Sequence, residues 1–184
     1  MQLTKKLLSI LLLFGAIGIA FTSCKKDNAQ QKDFYMTCKI DGVKSDFNAA
    51  TTGHMIWDAG EKVMSIGGTV DVSTSTLFMG LDISNMPSQD SIVEGAYADN
   101  SDRFTVDGIY GKMDGSMSYM AGTSIYEDQV SNNITPGQHF VVTITSITNE
   151  GIRGTFSGDF YANGDVVQGA LIHVTEGEFY VRRL

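Results

Sequence analysis

Between residues 34 and 184 apolar side chains recur at every second position in short runs, and Gly, Asn or Asp separates the runs. A period of two belongs to β-strands with one buried face. Residues 76–84 carry it most plainly, with Leu77, Met79, Leu81 and Ile83 on one side and Thr76, Phe78, Gly80, Asp82 and Ser84 on the other. The same alternation aligns Phe34, Met36, Cys38 and Ile40, then Phe140, Val142 and Ile144, then Ile152, Phe156 and Phe160, and finally Val166, Ala170, Ile172 and Val174. A sustained helical period is almost absent. One-sided burial suits antiparallel sheets, so the pattern predicts an all-β domain, an antiparallel β-sandwich or a closed β-barrel of about ten strands.

The turn residues agree. Asp41-Gly42 has the chemistry of a two-residue hairpin, in which both central positions take positive φ. Asn149-Glu150-Gly151, Asn163-Gly164-Asp165 and Glu176-Gly177 are read as separating the later strands into a meander, and Pro87 and Pro136 fall in predicted loops. Residues 111–133, rich in Gly, Ser and Met, are the least regular and predict a long loop or a pair of weak strands.

Ahead of this pattern the chain changes character. Lys5 and Lys6 precede an apolar run over residues 7–21, and Thr22 and Ser23 then lead to Cys24. The run is shorter than the roughly 20 apolar residues of a spanning helix and contains Gly15 and Gly18, so it predicts a cleaved export signal over residues 1–23. The Phe-Thr-Ser-Cys stretch resembles a loose bacterial lipobox, and the resemblance implies that Cys24 becomes an acylated N-terminus whose chains hold the protein on a lipid bilayer. Residues 24–33 hold no large apolar side chain and predict a lipidated tether, with a single domain over residues 34–184.

The chain has 13 basic and 21 acidic residues, and Lys5 and Lys6 would leave with the signal. Such acidity excludes nucleic acid as a natural partner. With Cys24 acylated, Cys38 is left alone, so stability must come from packing instead of a disulfide; its place on an apolar face predicts an inert thiol.

Nucleotide-binding, metalloprotease, nucleophile-elbow and Cys-x-x-Cys motifs are all missing, and no cofactor is implied. The stretch Asp99-Asn100-Ser101-Asp102 lacks the glycine and distal glutamate of a calcium loop, and His54, His139 and His173 read as surface histidines. A carboxylate pair on different strands would leave no spacing to read. Met113, Met117 and Met120 are candidate thioether ligands for Cu(I), weighed against their use as apolar filler. Among the aromatics Trp57, Tyr110, Tyr119, Tyr126, Tyr161 and Tyr180, the best candidates to stack on a sugar or peptide are Tyr161 and Tyr180, because both fall on polar faces of predicted strands.

Ile40-Asp41-Gly42 with Phe47, the element Glu94-Gly95-Ala96-Tyr97, the run from Ile152 to Gly158 (Ile-Arg-Gly-Thr-Phe-Ser-Gly), and the closing run from Val174 to Val181 together resemble a family of small Bacteroidetes-type exported lipoproteins of unknown function. These are strand and turn residues, so the resemblance implies fold and location, most naturally the outer membrane, and carries over no catalytic position. Two positions depart from that pattern: an aromatic would sit closer behind Asp41-Gly42, and Asn would replace Glu176. Asp90-Ser91-Ile92 resembles a short O-glycosylation signal in which Ser91 carries the sugar.

The expectation for function is therefore a non-enzymatic binding or structural module of the cell envelope, engaging a glycan or an envelope protein. Two alternatives stand beside it: a lipocalin-like barrel with an apolar ligand inside, and a hydrolase with a carboxylate-based site.

Overall fold

The structure is a computed structural model that describes residues 34–58, 61–85 and 90–184, with the side chains of 56–58 and 61 left aside. The predicted signal, Cys24, the tether, Lys5, Lys6 and Pro87 lie outside the described residues. Eleven strands follow one another as β1 Tyr35–Ile40, β2 Val43–Asp46, β3 Ala50–Asp58, β4 Glu61–Thr69, β5 Leu77–Ser84, β6 Gly95–Ala98, β7 Thr105–Lys112, β8 Ser118–Gly122, β9 Val141–Ile147, β10 Gly151–Ala162 and β11 Leu171–Arg183. Among the described residues one helix, α1 Thr123–Ser131, follows β8.

The strands form a single sheet in the order β2-β1-β11-β3-β4-β5-β7-β8-β10-β9-β6, and β10 also pairs with β11. That second pairing closes a hydrogen-bonded ring through β11, β3, β4, β5, β7, β8 and β10, while β1–β2 and β9–β6 extend from it as flaps. The all-β expectation holds. Its antiparallel part needs one exception, because β11 meets β3 in parallel through Arg182↔Thr52 and Arg183↔Gly53. Two strands that both run away from the same end of the molecule have no other way to meet where the ring closes.

Three local readings change. Glu176-Gly177 is not a turn between strands: β11 runs through it. Glu176 takes φ 49°, and the pairing slips on both sides, from Lys39↔Thr175 to Thr37↔Glu178 on β1 and from Gly158↔Val174 to Phe156↔Gly177 on β10. This is a β-bulge, which adds a residue and bends the strand without ending it. A Cβ at position 177 would lie 2.3 Å from the Phe156 carbonyl oxygen, so glycine is required there. Val166 and Ala170 lie in the turn before β11 and not in a strand. Residues 111–133 contain the end of β7, a turn, β8 and the helix α1, instead of a long loop or two weak strands.

The interior is filled. Met36, Phe47, Met64, Met79, Ile83, Val106, Phe140, Phe160 and Phe179 are at most 1 % exposed and belong to one continuous cluster. Phe140 and Phe160 meet edge to face at 5.4 Å, a favoured aromatic arrangement. Their rings fit because Gly108 on β7 has no side chain; a Cβ there would lie 2.7 Å from Phe140 Cζ and 2.9 Å from Phe160 Cζ. Cys38 is buried on the same inward side as Met36. Burial, with a smaller contribution from the charge of Asp46, pushes its thiol up to about 12, so it remains protonated and unreactive.

Replacing Phe160 with Ala removes a wholly buried ring and leaves a void beside Phe140, at a cost of about 3–5 kcal/mol. The urea midpoint should fall accordingly, and a midpoint within error of the unchanged chain would show that the interior is looser than described.

Candidate functional site

On the outer surface of the ring, three neighbouring strands bring polar side chains into one row. Ser65 on β4 is paired with Asp82 on β5, and Asp82 with Asp107 on β7. The alternation that sends Leu81, Ile83 and Val106 inward sends these residues outward. Ser65 Oγ donates to Asp82 Oδ1 at 2.5 Å. Beyond Asp107 the row reaches the start of α1, whose backbone N–H groups at Thr123 and Ser124 favour the charged form of the Asp107 carboxyl. The first N–H groups of a helix have no partner within it, so a carboxylate close to them from a neighbouring strand is favoured.

The turn that places the helix here depends on Gly122. It has φ 120°, and a Cβ would lie 2.2 Å from the Val106 carbonyl oxygen. Thr123 fixes the same junction: Val106 N–H donates to Thr123 Oγ1 at 2.9 Å. One face of α1 then turns Ile125 and Gln129 into the body.

Asp82, Asp107, Gly108, Ile109, Met120, Ala121 and Ser124 line an open groove of about 290 Å3. It combines two acids with the apolar side chains of Ile109 and Met120, and no cation lines it. Burial, then the negative charge of Asp82 and a smaller push from Glu127, holds the Asp107 carboxyl above the usual carboxylate range, against the pull of the two helix N–H groups. The groove therefore presents Asp82, which accepts the Ser65 hydrogen bond, beside an Asp107 carboxyl that keeps its proton to higher pH than usual. A second hollow, of about 390 Å3, lies beside Lys39, Lys44, Glu176 and Glu178. Its lysines are already engaged, Lys39 with Glu176 at 2.7 Å and Lys44 with Asp46 at 3.0 Å.

Two histidines acquire partners that the sequence did not disclose. His139 Nδ1 lies 2.7 Å from Asp99 Oδ1, and His173 Nδ1 lies 2.7 Å from Asp159 Oδ1. Both acids are buried. Their second oxygens accept Phe140 N–H and Gln138 N–H, so the two acids also fasten the strand entry that carries His139. These pairs orient imidazoles and brace a loop. Separations of 40 and 14 residues left no spacing to read.

The aromatic candidates are occupied. Tyr161 is buried under α1, where its hydroxyl accepts Gln129 Nε2 at 2.8 Å. Tyr180 is covered by Arg153, whose Cζ lies 3.7 Å from the ring centroid, and by Phe34 at 4.9 Å. A cation over a ring contributes about 0.5–1 kcal/mol at a partly exposed site. Both rings do sit on outer faces of strands, as expected, but other parts of the chain cover them, so neither offers a free stacking face. Trp57 belongs to β3, and its side chain lies outside the described set.

Met113, Met117 and Met120 do not form one ligand set. Met117 and Met120 are an odd number of residues apart on extended chain, which sends them to opposite faces, and Met113 sits in the preceding turn. Met120 instead lines the carboxylate groove. No group of three or more His, Cys, Asp or Glu suited to a metal occurs among the described residues. Ser91 is exposed, with Lys62 Nζ 2.6 Å from its Oγ, and the adjoining Ile92 is buried.

Compared with known proteins, the chain matches no family model, no curated protein and no solved structure.

In the folded chain Asp107 holds its proton more tightly than in the unfolded chain, so this group's contribution to stability is present at low pH and is lost as pH rises from the ordinary aspartate range through the raised value. Asp82→Asn should move the Asp107 titration midpoint down and flatten that loss, read by carboxyl 13C NMR together with urea midpoints across pH. An unchanged midpoint would mean that the two carboxyls do not interact.

Proposed function

We propose that this chain is an exported envelope protein, anchored through acyl groups on Cys24, that works by binding, and that its ligand is an uncharged, hydroxyl-rich molecule such as a glycan segment held in the Asp82–Asp107 groove. The observation that carries the reading is the pair of neighbouring acids on rigid strands beside the apolar Ile109 and Met120. Carboxylates accept hydroxyl hydrogen bonds strongly, and apolar side chains take the C–H faces of a sugar ring. A phosphate or carboxylate ligand does not suit a groove with acids and no cation.

A hydrolase is the second reading, and the raised Asp107 favours it, since a general acid must keep its proton to higher pH than an ordinary carboxyl does. Its geometry is less suitable. Glycoside cleavage uses acids that flank the scissile bond, whereas directly opposed strand residues, with Cβ atoms about 4.5–5.5 Å apart, project from one surface and meet a ligand from one side. An apolar carrier is disfavoured by the filled interior.

The test is retention of the chain on an array of neutral oligosaccharides, compared with Asp82→Asn, Asp107→Asn and the double variant. Loss of a hydrogen bond to a charged group costs about 1.5–3 kcal/mol, or roughly ten- to a hundredfold in affinity. Unchanged retention in the double variant removes the groove reading, and release of reducing sugar by the unsubstituted chain alone turns the reading into the hydrolase. For the anchor, Cys24→Ala should leave the membrane fraction; a variant that stays there unaltered overturns it.

A further inference from the structure

Four turns lie together at one end of the ring: 41–42 between β1 and β2, 70–76 between β4 and β5, 113–117 between β7 and β8, and 163–170 between β10 and β11. Backbone hydrogen bonds tie them to one another or to the adjoining strand ends. Met113 N–H donates to the Thr76 carbonyl at 3.0 Å, Asn163 N–H to that of Ser118 at 2.8 Å, and Asp41 N–H to that of His173 at 2.9 Å.

This crown exposes Val43, Val70, Val72, Met113, Val167 and Leu171; Val72 is 87 % exposed and Val43 70 %. Single exposed apolar residues need no explanation, but a gathered set marks an interaction surface. Each of the four turns also holds an aspartate. Asp71 Oδ1 accepts Ser73 N–H, Asp114 Oδ1 accepts Ser116 N–H, Asp165 Oδ1 accepts both Val167 and Gln168 N–H, and Asp41 Oδ1 accepts His173 N–H. The crown is therefore fixed in shape. Hydrogen bonds to the turn residues hold the Asp71, Asp114 and Asp165 carboxyls below the usual carboxylate range, so they stay charged.

We propose that the crown docks a second protein whose surface offers an apolar recess rimmed by Lys and Arg. Charge complementarity selects this occupant. A second copy of the chain would bring the aspartates face to face, and an anionic bilayer would repel them. The described chain begins at Phe34, beside Arg182 and away from these turns. The crown adjoins the Asp82–Asp107 groove where Met120 packs at Gly164, but none of its exposed apolar residues or turn aspartates lines that groove, and the proposal does not depend on the groove's ligand.

The probe is a short amphipathic peptide with one leucine face and one lysine face, titrated into the full chain and followed by amide and methyl NMR. Shifts should concentrate on the four turns and weaken with added salt. Val72→Ser with Met113→Ser should reduce affinity about tenfold. Asp71→Asn with Asp165→Asn, which keeps the turn acceptors, should reduce it and weaken the salt dependence, since Asp41 and Asp114 remain. All four positions are exposed, and an unchanged urea midpoint verifies folding. Shifts centred elsewhere, or equal binding by both double variants, overturn the proposal. So does tighter crown binding to phosphatidylcholine or phosphatidylglycerol vesicles, or crown-dependent self-association in sedimentation.

Discussion

The pairing of β10 with β11 is the contact on which the rest depends. These are the two longest strands, of 12 and 13 residues, and they pair along almost their whole length. β10 gives its other edge to β9 and then β8, while β11 gives its other edge to β1 and then β3. Two strands thus close the ring and support both flaps. The bulge at Glu176-Gly177 lies within the β1 pairing, which resumes from Glu178 to Tyr180 before β3 takes over at Arg182, and its extra residue bends β11 and sharpens its twist.

Closure decides where function can be. The inward side chains, Phe47, Phe140, Phe160, Phe179 and several methionines among them, are buried against one another, so the outward residues of the same strands are the ones that meet solvent. Alternation then places Ser65, Asp82 and Asp107 in register on three neighbouring strands, and the Gly122 turn lays the start of α1 against the last of them. The raised Asp107 carboxyl results from that crowding: burial by the helix and Met120 side, with Asp82 across one strand gap.

Much of the scaffold was legible along the chain. Leu77, Met79, Leu81 and Ile83 alternate and are turned inward, and Asp41-Gly42 makes its hairpin with φ 49° and 80°. What failed to show was what depends on distant partners. Glu176-Gly177 has turn chemistry, but a bulge uses the same positive φ, and only two flanking strands distinguish them. The helix α1 has no acidic residue in its first turn and no side-chain cap, and the carboxyl that its first N–H groups influence, Asp107, comes from another strand. Tyr161 and Tyr180 face outward as their alternation requires, yet Gln129 and Arg153 cover them, and a cover supplied from elsewhere leaves no periodicity. Asp82 and Asp107 stand 25 positions apart in the numbering, and their meeting follows from register, which a single sequence does not print.

Buried aromatics and methionines pack the inside of the ring, and the outer-surface binding proposed above rests on that packing. Xenon occupies apolar voids in protein interiors without needing polar partners. A crystal pressurised with xenon should show no atom inside the ring, among Val106, Phe140 and Phe160; an ordered xenon there would contradict the account and return the apolar carrier to first place.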